Sequence, residues 1–218
     1  MNMKRRILCF GDSNTYGYDF ENVRFDDDTR WTRRLMSALG DGFVIIEEGL
    51  NGRTFIHDDP TEGGHKNGMK YLPPCLMSHN PLDLVVIMLG TNDAKERFNM
   101  NAFTIAQCAQ QMVLLARQYA VDGEGKPSKI LLVSPILIAD DVDKRMFGDI
   151  FGAKSALISR DFAREYHRVA SLTGCEFLDA AKVTEPWPED GIHITREGQQ
   201  AFARAMEEKI LSILKKEA

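Results

Sequence analysis

The sequence predicts an α/β fold, a three-layer α/β/α sandwich around a five-stranded parallel sheet. Five short apolar runs rich in branched residues each lead into a turn-rich stretch, and the segments between them carry helical periodicity. Chemistry-bearing motifs follow the runs. Runs of this length with consecutive apolar positions suit strands covered on both faces. Right-handed crossovers would then bring every C-terminal strand end to one edge. The 218 residues fit one domain spanning 1–218.

The first strand is predicted over 6–10, and a helix over 30–39 leads to a second strand over 43–47. From 53 to 71 no period persists; Asp58-Asp59-Pro60 and Gly63-Gly64 mark an irregular excursion, and loops of that length commonly serve function or oligomer contact. The third strand, 82–89, is the most hydrophobic. Beyond it Ile105, Cys108, Met112, Leu115 and Tyr119 form an apolar stripe opposite Gln107, Gln110, Gln111 and Gln118, the pattern of an amphipathic helix. A fourth strand over 129–134, a helix over 160–172 and a fifth strand over 175–179 follow. The last helix starts after Thr195, its N-cap, with Phe202, Met206, Ile210, Ile213 and Leu214 facing inward.

Composition narrows the function. A net charge of −5, with Lys4-Arg5-Arg6 as the clearest basic cluster, argues against a nucleic-acid groove. The run Ile7-Leu8-Cys9-Phe10 is too short for a signal sequence or a membrane span, so a cytoplasmic protein without membrane association is expected. Cys9, Cys75, Cys108 and Cys175 form no CxxC pair, which points to reduced thiols rather than a zinc or redox motif.

Three blocks carry chemistry. Gly11-Asp12-Ser13-Asn14 stands where the first strand must turn, and a serine there can expose its hydroxyl above the sheet with its own N–H aimed at the same spot. Gly90-Thr91-Asn92-Asp93 follows the third strand; the Asn92 carboxamide is an uncharged donor suited to an oxyanion. In Asp190-Gly191-Ile192-His193 the spacing lets a carboxylate accept from one imidazole nitrogen while the other faces a serine. Singly these are an ordinary turn, a left-handed Asn turn and a helix cap. Together they supply nucleophile, base, orienting acid and oxyanion donor. The backbone N–H of Gly52, after the second strand, is a further donor.

In Ser13, Gly52, Asn92 and His193 the chain resembles the SGNH or GDSL-type hydrolases, over nearly its whole length. Arg30-Trp31-Thr32, Glu47-Glu48-Gly49-Leu50, Asp58-Asp59-Pro60-Thr61 and Tyr71-Leu72-Pro73 are similar to the arylesterase and acyltransferase subgroup. The resemblance implies a flavodoxin-like sandwich, catalysis by Ser13, Asp190 and His193 through an acyl-enzyme, and an oxyanion hole of Ser13, Gly52 and Asn92. It implies no metal and no cofactor, a small ester substrate with water or an alcohol as acceptor, and homo-oligomers, octamers among them, contacting through 53–71. Asn14 stands where the family often has leucine and Tyr16 where the acyltransferases have tryptophan. Asp12, Asn14, Tyr16, Thr91, Lys95 and Ile192, in or beside the blocks, are the candidate substrate-binding residues.

The chemistry expected is hydrolysis of aryl or acetyl esters. Alternatives within the fold are a carbohydrate deacetylase of the acetylxylan type, a lysophospholipase or a thioesterase. A metallophosphoesterase lacks its ligand histidines here, and His57, Asp58, Asp59 and His65 read as a solvated loop. A flavodoxin-like nucleotide-binding module lacks a phosphate loop, having neither a Walker lysine nor GxGxxG. His79 and His167 read as structural, and Trp31 and Trp187 as packing anchors.

Overall fold

The computed structural model describes residues 4–21 and 23–215; the outermost parts of the predicted 1–218 domain lie outside the described residues. Five parallel strands form the sheet: β1 (Arg5–Gly11), β4 (Phe43–Gly49), β5 (Leu84–Met88), β6 (Lys129–Ser134) and β7 (Glu176–Asp179), in the order β4-β1-β5-β6-β7. Two short strands, β2 (Tyr18–Asp19) and β3 (Val23–Arg24), pair antiparallel beside it. Gly11 aligns with both Gly49 and Met88, so the three strands that precede Ser13, Gly52 and Asn92 end level.

The pleat sends alternate side chains to opposite faces. Leu8 and Phe10 join one core with Val85, Ile87, Ile130 and Leu132, covered by α3 (Gly68–His79), α4 (Ala102–Tyr119) and α6 (Phe162–Thr173). Ile7 and Cys9 join the other with Val86, Leu131 and Val133, covered by α2 (Trp31–Leu39) and α7 (Arg196–Lys215). Trp31 meets Phe202 edge to face at 5.0 Å, locking these two helices together.

The expected architecture is present, with corrections to its elements. The predicted third strand is shorter because Leu82 and Leu89, although buried, bond elsewhere: Leu82 N–H donates to Val121 O, and Leu89 O accepts from the Tyr166 hydroxyl. Thr195 caps α7 as expected, accepting from Gly198 N–H at 2.9 Å. The helix predicted over 160–172 is α6, and a further, unanticipated helix, α5 (Gly148–Arg160), runs directly ahead of it. Residues 68–71, assigned to the excursion, are the first turn of α3, whose interior Pro73-Pro74 hid its helical character.

The remaining excursion is packed around Asp59 rather than solvated throughout. Asp59 is 1% exposed and accepts from Lys95 Nζ at 3.1 Å and Arg97 Nη2 at 2.6 Å; both cations also reach Glu62. His57 stacks on Phe98 at 4.0 Å, whereas Asp58, paired with Lys70, and His65 are exposed. Burial of Asp59 against two cations accounts for the difference.

Candidate active site

β1 ends at Gly11 and the chain turns at once into α1 (Ser13–Tyr16), a single helical turn. Asp12 caps it, its carboxylate accepting from Asn14 N–H at 2.9 Å, and Gly17, left-handed at φ 83°, closes it on Ser13 O. Ser13 is the first residue of the turn, so its N–H has no carbonyl one turn earlier to meet. Burial pushes the Asp12 carboxyl up to about 6, although Asn14 N–H, His193 and Arg53 pull it down.

The loop before α7 carries the partners. Trp187 N–H donates to His193 O at 2.7 Å and Gly191 N–H to Trp187 O at 2.8 Å, folding the loop on itself. Asp190 is fully buried; its Oδ1 accepts from the N–H of Ile192 at 2.8 Å and of His193 at 3.0 Å. Its Oδ2 stands 2.8 Å from His193 Nδ1. A carboxylate only accepts, so Nδ1 carries the proton, and Nε2 is left to accept from the Ser13 hydroxyl, also at 2.8 Å. Tyr18 and Phe147 flank the imidazole at ring distances of 4.4 and 5.8 Å.

Residues 50–53 form a turn closed by Arg53 N–H on Leu50 O at 3.0 Å. Gly52 holds its third position at φ 77°, the left-handed geometry a type II turn demands there. A Cβ on Gly52 would stand 2.5 Å from a Glu62 carboxylate oxygen. Its N–H is not the one that closes the turn, and among the described residues it meets no acceptor. Asn92 opens the short helix Asn92–Ala94 beyond β5; it is 6% exposed, and its carboxamide forms no hydrogen bond among the described residues.

The candidate substrate-binding residues divide. Tyr16 is half-buried beneath the Arg24 guanidinium, 4.5 Å from its ring, and Thr91 is buried with no partner for its hydroxyl among the described residues. The other four have partners within the protein. Asn14 Nδ2 donates to Ile192 O at 3.1 Å, and its Oδ1 accepts from Ile194 N–H at 2.8 Å, so it braces the serine turn against the histidine loop. Asp12 is the cap already described, Ile192 is held through its main chain, and the Lys95 ammonium is committed to Asp59 and Glu62.

Residue-level reading of the sequence missed Tyr18, Phe147, Arg53 and Asp93. Arg53 is buried between the rings of Phe10 and Tyr71, 4.2 and 5.3 Å away, and donates to Gly11 O at 3.0 Å and to Glu48 O. It thereby ties together the ends of β1 and β4. Burial lowers its guanidinium from the ordinary value, opposed by Glu48. Asp93 accepts from Phe55 N–H and is pushed up to about 8 by burial, with Asp12 adding to the effect. Only the placement of Asp93 within its block was a signal available beforehand. A groove of about 980 Å³ lies at the opposite edge of the sheet, lined by Lys4, Arg6, Asp83 and Lys129, away from this chemistry.

A serine hydroxyl bonded to an imidazole, itself oriented by a buried carboxylate, at a strand end level with those that precede the uncharged donors Gly52 and Asn92, is equipped for nucleophilic attack on a carbonyl. Comparisons agree with that chemistry. Residues 9–201 match the GDSL-like lipase/acylhydrolase family. The aryl esterase of M. smegmatis superposes with a TM-score of 0.87 at 38% identity, over 95% of this chain and 99% of that one. A carbohydrate acetylesterase family member from Sinorhizobium meliloti gives 0.87 at 34%, over 96% and 99%. An acetylxylan esterase of Xylanibacter ruminicola is 26% identical over 91% of this chain, which spans only 41% of that longer protein.

Proposed function

The chain belongs to the GDSL-like lipase/acylhydrolase family, whose members hydrolyse esters, and from this premise we propose a serine esterase for small acyl esters with Ser13, His193 and Asp190 as its catalytic residues. The observation that carries the reading is the unbroken row of hydrogen bonds, 2.8 Å at each step, from the Asp190 carboxylate through the imidazole to the Ser13 hydroxyl. His193 Nε2 takes the Ser13 proton as Oγ attacks the ester carbonyl, and Asp190 stabilises the imidazolium. The N–H groups of Ser13 and Gly52 and the Asn92 carboxamide receive the oxyanion. Collapse releases the alcohol, protonated by His193, and water activated by the same imidazole frees the acid.

The acyl group in this reading is acetyl, and the alcohol an aryl or sugar hydroxyl. The aryl esterase and carbohydrate acetylesterase neighbours and the acetylxylan esterase support this choice. Transfer of the acyl group to an alcohol in place of water belongs to the same proposal. So do a single hydrolase domain over 1–218, a cytoplasmic location and a homo-oligomer contacting through 53–71, where Ile56 is 38% exposed. Among the described residues no helix is long and apolar enough to cross a membrane.

Labelling by an organophosphonate, followed by peptide mass spectrometry, tests the nucleophile: modification is expected at Ser13, and an unlabelled Ser13 in active protein refutes it. A panel of aryl and sugar esters of graded acyl length, run with and without an acceptor alcohol, tests the substrate. The highest kcat/KM is expected for acetyl esters.

A further inference from the structure

Beside Arg53, three side chains unused by the hydrolytic chemistry converge. We propose that Glu48, Cys75 and His79 form a binding site for a thiophilic divalent cation of the Zn²⁺ type. Their carboxylate oxygen, sulfur and imidazole nitrogen all lie within 4.8 Å of one another. His79 Nε2 is already 3.0 Å from Glu48 Oε1. Cys75 and His79 are four residues apart on α3 and share one face of it, and Glu48 meets that face from the end of β4.

The donor chemistry is selective. Thiolate with imidazole and one carboxylate favours Zn²⁺ or Co²⁺ over Mg²⁺ or Ca²⁺, which take all-oxygen sets. Tyr71, one turn before Cys75, places its hydroxyl beside the Glu48 carboxylate and the thiol, where it can orient them. Among the described residues the Glu48 carboxylate pairs with no lysine or arginine side chain, because the Arg53 guanidinium is turned to main-chain oxygens, one of them that of Glu48 itself. A half-buried carboxylate whose one ion-pair partner among the described residues is an imidazole gains from a cation. The way in is open: the side chains of His79 and Glu48 are 32% and 17% exposed, and Cys75 forms the floor at 2%. On binding, the Cys75 Sγ–H bond breaks, its proton leaves to solvent, and the sulfur lone pair bonds the metal. Spacing concealed the set, since its cysteine and histidine, four positions apart, form no CxxC pair and its third member is on a distant strand.

Titration of the metal-free full-length protein with Co²⁺ tests the proposal. A thiolate-to-cobalt charge-transfer band in the near ultraviolet is expected, saturating at one equivalent and displaced by Zn²⁺. Cys75→Ser abolishes the band, His79→Gln weakens binding strongly, and Tyr71→Phe weakens it by roughly tenfold. Ser13→Ala, which ends hydrolysis, leaves the titration unchanged, so the metal site and the esterase assignment fail independently. Absence of the band in wild type, or its persistence in Cys75→Ser through Cys108 or Cys175, overturns the site. If Cys75→Ser does not fold, the Glu48→Gln/His79→Gln double variant decides: an unaltered midpoint refutes the assignment.

Discussion

Each reacting group owes its position to neighbours that hold main chain rather than substrate. Ser13→Ala should remove nearly all ester turnover while leaving the thermal midpoint close to wild type; retained turnover would dismiss the nucleophile. Asn92→Ala removes one uncharged donor and should lower kcat by roughly 10²–10³ with little change in KM, read from steady-state kinetics. Asn14→Ala leaves Ile192 O and Ile194 N–H buried without their partner. The expected cost is about 1–3 kcal/mol for each group, measured by urea unfolding, together with a lower kcat as the histidine loop loosens. Ser13, Asp190 and His193 were legible because each belongs to a short block whose residue types make chemical sense at that spacing. The work of Asn14 was not, since its partners lie 178 and 180 positions away and no local pattern announces them. Arg53 was hidden for the same reason: a lone arginine in a turn gives no hint that two strand ends hang on its guanidinium.

The segment between β4 and α3 behaves as an ionic latch. Burial alone would raise Asp59, but Arg97, Thr61 and Lys95 outweigh it and hold the carboxyl at about 2. A carboxyl lowered on folding contributes stability above its unfolded value of 3.8, and that contribution disappears as the pH falls from about 4 to about 2. Asp59→Asn should therefore speed amide hydrogen exchange over 54–67 at neutral pH, and the gap between variant and wild type should close by pH 2. An exchange pattern identical at neutral pH would show that the latch holds nothing. The sequence disclosed this stretch as aperiodic but not as packed, because its order comes from Lys95 and Arg97 on another loop. Likewise α3 was masked by Pro73-Pro74, and α5 by Gly152, which sits at φ 64° inside it.

Across the whole molecule, the sheet was the most legible feature, since strands buried on both faces announce themselves as unbroken apolar runs. Trp31 and Phe202, both fully buried, join α2 to α7, and Phe202→Ala, which unseats α7 from Trp31, should cost about 3–5 kcal/mol in denaturant unfolding. Two carboxyls beneath the site act against the latch. Asp12 and Asp93 are raised on folding to about 6 and about 8, so the folded state binds their protons more tightly and loses stability as the pH climbs from about 4 through those values. Asp93→Asn should flatten the decline in thermal midpoint between pH 6 and 8; an unchanged slope would assign it to other groups. The bond between residues 13 and 193 bridges 180 positions, nearly the full reach of the chain. During synthesis the proposed nucleophile therefore emerges from the ribosome long before its proposed base, and a nascent polypeptide, a prematurely terminated one or a proteolytic fragment lacking the final helix and the loop ahead of it should be chemically silent.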